Sequence, residues 1–248
     1  MIWDCVLYNG ERDVLDIRMG ELSSLDVHHV LVEGDHTFQG DPKIVEPVSG
    51  SNLTHLIVEM QNIEDCSCGC ADATRFSPGD AWVREAHQRN AVLPLIDVDP
   101  ECLVLLGDVD EIPRSADIKD VDPPVRFLMD AYVFCLDWYG GRDVPGTVAI
   151  GRGQITTPAQ VRHAHMRAMR GGWHFTYMGG RDEIERKLRS FSHAEMNVPD
   201  TIAALDGAIR LGRVPWNGVQ LDPCEISHLP EYVQQNIEMF RHMLRPRG

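Results

Sequence analysis

The run Cys102-Leu103-Val104-Leu105-Leu106-Gly107 is apolar throughout and passes directly into Asp108-Val109-Asp110-Glu111-Ile112-Pro113. An apolar run without alternation describes a strand covered on both faces, which requires helices on both sides of a sheet. Three carboxylates in four residues then stand where that strand leaves the sheet. This concentration of negative charge is costly unless something positive meets it. Hard cations such as Mg²⁺ or Mn²⁺ take oxygen ligands and leave room for substrate phosphates, so an acidic strand terminus is a candidate metal and diphosphate site. The Asp-x-Asp pattern alone is weak evidence in an acidic chain: Asp97-Val98-Asp99 repeats it, and Pro100 marks that copy as a solvated turn.

Periodicity on either side supports an α/β fold. Residues 4–8 read as a strand stopped by Asn9-Gly10, and Val14, Leu15, Met19, Leu22 and Leu25 then recur at helical spacing. Further strands are expected over 27–33, 53–58, 102–107 and 172–177, with 102–107 a central parallel strand. Helices are expected over 82–93, 182–191, 199–211 and 231–244. Residues 65–80 and 140–158, rich in Gly, Pro and polar groups, read as surface loops. In such a fold, ligands gather at the carboxyl ends of the strands. No repeat or linker interrupts the chain, so one catalytic domain over 1–248 is expected.

A formal net charge of -15 disfavours sequence-independent attraction to a nucleic-acid backbone or an anionic membrane, both of which reward clustered Lys and Arg. The first residues carry no basic segment followed by an apolar core, and no run reaches membrane-spanning length, so a soluble, cytoplasmic protein without stable membrane insertion is expected. Cys5, Cys102 and Cys135 lie in apolar stretches and read as buried free thiols. Cys66, Cys68 and Cys70 invite a zinc reading, but single-residue gaps differ from the two-residue gap of zinc knuckles, and no fourth ligand is evident.

Several ordered blocks resemble glycosyltransferase family 17, whose best-known member is a bisecting N-acetylglucosaminyltransferase. They are residues 9–18, Glu33 with Thr37-Phe38-Gln39-Gly40 and Lys43, Trp82-Val83-Arg84-Glu85 with Gln88-Arg89-Asn90-Ala91, residues 107–113, Gly171-Gly172-Trp173-His174-Phe175-Thr176-Tyr177, and residues 187–195. The resemblance implies a GT-A-like nucleotide-diphospho-sugar fold with a mostly parallel central sheet, a divalent cation (Mn²⁺ or Mg²⁺) held by the Asp-x-Asp element, and inverting transfer to give a β linkage. It suggests UDP-N-acetylglucosamine as the first donor to consider. The match is poor over 113–171, the stretch left for acceptor recognition, so the acceptor stays open among a glycan, a lipid-linked sugar, a protein and modified DNA.

Under the resemblance, Asp108 faces the ribose or the metal and Asp110 ligates the metal, with His193 or His174 completing the shell or touching phosphate. Inverting transfer needs one base, for which Glu195 is the first candidate. Asp182 and Glu183 follow, although a helix start favours carboxylates for structural reasons alone. Arg84, Arg89 and Lys187 are aimed at phosphate, with helix-surface ion pairs as the alternative. Glu33 is a candidate for the base or ribose, or else for a turn. Trp173 and Tyr177 suit a sugar face or the core. The cluster Arg162, His163, His165, Arg167 and Arg170 reads as a solvated basic face. A nucleotidyl- or phosphotransferase using the same paired Asp, and a non-catalytic sugar-nucleotide or glycan-binding protein, remain the competing functions.

Overall fold

The computed structural model describes residues 1–61, 63, 80–96 and 101–246. The Asp97–Asp99 turn and the Cys66, Cys68 and Cys70 cluster lie outside the described residues. Strand β1 (Ile2–Leu7) leads into α1 (Arg12–Leu22), followed by β2 (Val27–Gly34), β3 (Leu53–Val58), α2 (Ala81–Asn90) and β4 (Leu103–Asp108). The second half continues with β5 (Glu111–Ile112), α3 (Ser115–Ile118), β6 (Val125–Val133), β7 (Trp138–Gly151), α4 (Pro158–His163) and β8 (Ala168–Thr176). It closes with α5 (Arg181–Ser190), α6 (Pro199–Leu211), β9 (Asp222–Pro223) and α7 (Glu231–Gln235).

The strands form one sheet in the order β3-β2-β1-β4-β7-β6-β8-β5, with β9 added to β7. The α/β expectation holds, and the β3-β2-β1-β4 half is parallel. Beyond β4 the sheet is mixed: β7 is antiparallel to both neighbours, and β6 and β8 are parallel to each other. The expected loop over 140–158 is thus corrected. Most of it is β7, whose Gly and Pro are absorbed by register shifts against β6 and by positive φ at Gly141 and Asp143. The expected 231–244 helix is also shorter, ending at Gln235 and resuming only as a 3-10 turn over Arg241–Met243.

Alternation along the parallel strands feeds two cores. Cys5, Leu7, Val30, Val32, Val104 and Leu106 share one apolar cluster with Val92 and Ile96, whereas Val6 and Leu31 pack with Leu15 of α1 on the other. Both faces of β4 are therefore covered, as its unbroken apolar sequence demands. Cys5, Cys102 and Cys135 are buried free thiols.

A polar group pins the end of β4. Arg18, on the buried side of α1 and wholly inaccessible, forms a bidentate pair with Asp4 at 2.6 and 2.9 Å. It also donates to the carbonyls of Asp108 (3.2 Å) and Glu111 (2.7 Å). His29 supplies Asp4 with a third contact at 2.8 Å. Burial opposes ionisation of Asp4, but Arg18 and His29 override it and hold its carboxyl well below the usual range.

A second constraint is steric. Gly172 adopts φ +115°, and a Cβ there would lie 2.2 Å from the Ile112 carbonyl oxygen. Glycine lets β8 approach β5 closely, and the pairing Glu111↔His174 follows.

Arg18→Met strands the Asp4 carboxylate in the core and should lower unfolding free energy by about 3–5 kcal/mol, measured by urea denaturation at neutral pH. Because the folded-state pKa of Asp4 is depressed, its stabilisation is present above the ordinary carboxylate pKa and lost as pH falls below it. Wild type should therefore lose stability below about pH 4 more steeply than the variant.

Candidate active site

The chain leaves β4 at Asp108, turns through Val109 and Asp110, and enters β5 at Glu111. Val109 is buried and its amide donates to the Leu7 carbonyl at 3.0 Å, so the turn is tied to the end of β1. Glu111 curls back to accept the Asp108 amide at 3.1 Å, while Thr147 of β7 donates to the Glu111 carbonyl at 2.6 Å. The three carboxylates thus leave one fixed turn in different directions.

Each meets a protein cation. Asp108 pairs with Arg89 at 2.8 Å and lies 4.0 Å from Arg162. Glu111, almost fully buried, forms a tight pair with Arg162, which also donates to the Gly146 carbonyl. Asp110 is buried; Lys187 sits 2.6 Å from its Oδ2, and His174 Nε2 lies 3.7 Å from its Oδ1. Burial works against the charge on Asp108, yet Arg89 and Arg162 hold its carboxyl below the usual range. For Glu111 burial wins and the carboxyl is raised, despite Arg162.

A cleft of about 210 Å³ opens over Asp108 and Asp110, walled by Asn9, Glu11, Glu85, His174, Tyr177 and Lys187 among others. It shares Tyr8, Asn9, Thr37, Lys43 and Ser190 with a wider cavity of about 820 Å³ that runs toward Glu33, Asp182 and Glu183. Burial pushes both Tyr8 and Tyr177 up to about 12, so each remains a neutral phenol at physiological pH. A separate cavity of about 1400 Å³ is lined by Trp173, Tyr132, Tyr139 and Arg170 among others and does not include Asp108 or Asp110.

Against these positions the predicted residues divide. Asp108, Asp110, His174 and Lys187 come together in the cleft. Arg89 does not offer its fork to a phosphate: it is buried and spends its donors on Asp108, Glu85 and the Gly107 carbonyl. Arg84 donates to the Phe38 carbonyl at 2.8 Å and holds the turn after β2. Trp173 points away from the cleft, because it neighbours His174 on a strand and the two must face opposite ways. Its indole N–H donates to the His228 carbonyl, and Arg114 covers its ring. Both Glu33 oxygens are taken, one by Lys43 at 2.7 Å and one by His55 at 2.9 Å.

Glu195 is exposed on a 3-10 turn (Ala194–Met196) and pairs with His193 at 2.7 Å, which lowers its carboxyl pKa. His193 packs edge-on against Trp82 and is absent from the cleft wall, so the structure does not bring it to Asp110. Asp182 and Glu183 occupy the first turn of α5; Glu183 pairs with Arg186, which in turn donates to the Asn9 carbonyl.

Sequence reasoning missed three participants. Arg162 was assigned to a solvated face, yet it is the counter-ion of Glu111; the clue was a third carboxylate in a buried turn that needed one. Glu85 binds Arg89 and Ser192, and Glu11 accepts the Asn9 amide at 2.8 Å.

Glu85, Asp108 and Glu111 share Arg89 and Arg162 in one ion-pair network, and Glu11 and Asp110 share Lys187 in a second, so five carboxylates face three cations, a formal excess of two negative charges. Among the described residues no group of three or more His, Cys, Asp or Glu side chains is placed to hold a metal ion by itself. Asp110 Oδ1 and His174 Nε2, 3.7 Å apart, are the pair that would hold a phosphate-bridging cation, and the other ring nitrogen of His174, Nδ1, is buried without a hydrogen-bond partner.

The sequence model of glycosyltransferase family 17 matches residues 1–206, which contain every residue of this cleft. The chain belongs to glycosyltransferase family 17. No curated protein matches it. Among solved structures it is similar to an active-site mutant of LgtC, at 13% identity and a TM-score of 0.29 over 66% of this chain and 59% of that one. It is also similar to the galactosyltransferase LgtC in complex with donor and acceptor sugar analogs, at 12% identity and a TM-score of 0.29 over 66% of this chain and 60% of that one. The chain thus spans less than two thirds of those proteins, and likeness of this size says nothing about its chemistry. Among the described residues, no helix of this chain is long and apolar enough to cross a membrane.

Arg162→Met should cost about 3–5 kcal/mol in urea unfolding, because it leaves Glu111 buried without its partner. Adding Glu111→Gln in the same chain should recover most of that loss, since a neutral amide needs no counter-ion.

Proposed function

We propose that this glycosyltransferase moves a sugar from a nucleoside-diphosphate donor, UDP-N-acetylglucosamine first, to a glycan hydroxyl, with inversion and with the help of Mn²⁺ or Mg²⁺. The observation that carries this reading is the acidic turn at the β4 terminus, fixed from below by Arg18 and left with a negative excess that a dication balances. The GT-A-like assignment and the donor rest on the family.

In this reading Asp110 and His174 hold the cation, with Asp108 oriented by Arg89 toward the ribose or the metal. When bound, the cation stabilises the charge that gathers on the departing nucleotide. Lys187 supplies the nearest free-swinging positive charge to the diphosphate. The nucleoside lies in the outer cavity near Tyr8, Asn9 and Thr37, where Asn9 is held by Ser190 at 2.8 Å and by Lys43 at 2.5 Å.

Glu195 acts as base. Its lowered pKa keeps it ionised at neutral pH, and it stands exposed on the 3-10 turn whose Met196 sulfur accepts the Tyr177 hydroxyl at 3.5 Å, open to an incoming hydroxyl. The carboxylate takes the acceptor proton while the acceptor oxygen attacks the anomeric carbon opposite the leaving nucleotide, which inverts the configuration.

Incubation with Mn²⁺ and a panel of UDP, GDP, ADP and TDP sugars plus a glycan acceptor should give free nucleoside diphosphate from one donor. Asp110→Ala or EDTA should abolish it. Pyrophosphate as the product would instead indicate nucleotidyl transfer, and donor binding without release a non-catalytic protein. Glu195→Gln should lower kcat by about 10²-fold or more with donor KM nearly unchanged; loss confined to donor KM would remove Glu195 from the base role.

A further inference from the structure

Lys187 and a dication at Asp110 want the same carboxylate. The Lys187 ammonium sits 2.6 Å from Asp110 Oδ2, and its next anion, Glu11, is 3.8 Å away. Asp110 is 5% exposed at its side chain, so water screens little of that attraction. On its other oxygen the nearest cationic or metal-ligating group is His174 at 3.7 Å, beyond hydrogen-bond reach. A dication binding Asp110 and His174 would stand beside the ammonium across one small carboxylate, and like charges that close repel strongly when buried.

Lys187 is free to respond. It leaves α5 on a flexible four-carbon stem and is 19% exposed, and its ammonium has no carbonyl partner among its hydrogen bonds, unlike the forked and fully buried Arg89.

We propose that Lys187 is an exchangeable counter-ion: it neutralises Asp110 until donor and dication arrive together, then passes from the carboxylate to the donor diphosphate. This rests on the metal-dependent donor site proposed above. The exchange makes metal and nucleotide binding mutually dependent. A dication alone must displace Lys187 with nothing to receive the ammonium, whereas a dication with a diphosphate gives it a new anion. Metal should therefore bind weakly alone and more tightly with nucleotide, and linkage makes the effect reciprocal.

The test measures Mn²⁺ affinity of the full chain from the EPR signal of free Mn²⁺, with and without UDP and, separately, GDP. For wild type, one nucleotide should tighten Mn²⁺ at least tenfold. Lys187→Met should bind Mn²⁺ alone at least tenfold more tightly than wild type, and its nucleotide-induced tightening should fall below threefold. Asp110→Asn added to Lys187→Met should erase that gain. Lys187→Gln carries the same expectation and replaces the Met variant should thermal unfolding show that the latter does not fold. If wild type binds Mn²⁺ with nucleotide but neither Lys187 variant gains metal affinity, the exchange is overturned and the donor site stands. If no variant and no wild-type sample binds Mn²⁺ under any condition, the donor-site reading fails and takes the exchange with it.

Discussion

A guanidinium buried beneath the acidic turn organises this molecule. Arg18 reaches from α1 to Asp4 in β1 and to the carbonyls of Asp108 and Glu111. It thereby joins the first strand, the first helix and the turn that ends β4. Three carboxylates in four residues repel one another, and a turn carrying them would splay if its backbone were not held. The hydrogen bonds of Arg18 and Thr147 to that backbone, and of Val109 to Leu7, hold it without using the carboxylates of Asp108 and Asp110. Those two side chains remain available to the cleft.

Above the turn, the cations sort into two kinds. Arg89 and Arg162 are planar, multiply hydrogen-bonded and fixed by carbonyls as well as carboxylates, so they set the positions of Asp108 and Glu111 permanently. Lys187 is a point charge on a flexible stem. Two locked arginines that hold the acidic turn, and Lys187 on a flexible stem at the cleft wall, are what the proposed binding of a dication together with a diphosphate rests on. Shape follows the same division: β8 carries His174 into the cleft and Trp173 away from it, and Gly172 permits the approach that brings His174 to Asp110.

Much of this was legible in the sequence, and the failures have physical causes. The uninterrupted apolar run before Asp108 identified β4 and the site at its end, because burial on both faces leaves no room for polar alternation. The β7 strand was hidden: Gly140, Gly141, Pro145 and Gly146 are turn formers, and only the bulged pairing with β6 makes them compatible with a strand. Arg89 read as a phosphate ligand and Arg162 as a surface charge because helical periodicity does not reveal a buried counter-ion; their partners lie on β4 and β5. His193 stood beside the expected base in sequence, but its ring packs on Trp82 and Phe191 and is itself no part of the cleft wall.

We propose Asp110 and His174 as the cation's seat at the end of β4. The direct measurement is anomalous diffraction at the manganese edge from crystals grown with Mn²⁺ and UDP. The predicted result is one strong peak within coordination distance of Asp110 Oδ1 and His174 Nε2, with the Lys187 ammonium turned toward the diphosphate. A peak seated elsewhere in the cleft, or ordered UDP with no manganese beside Asp110, would contradict it.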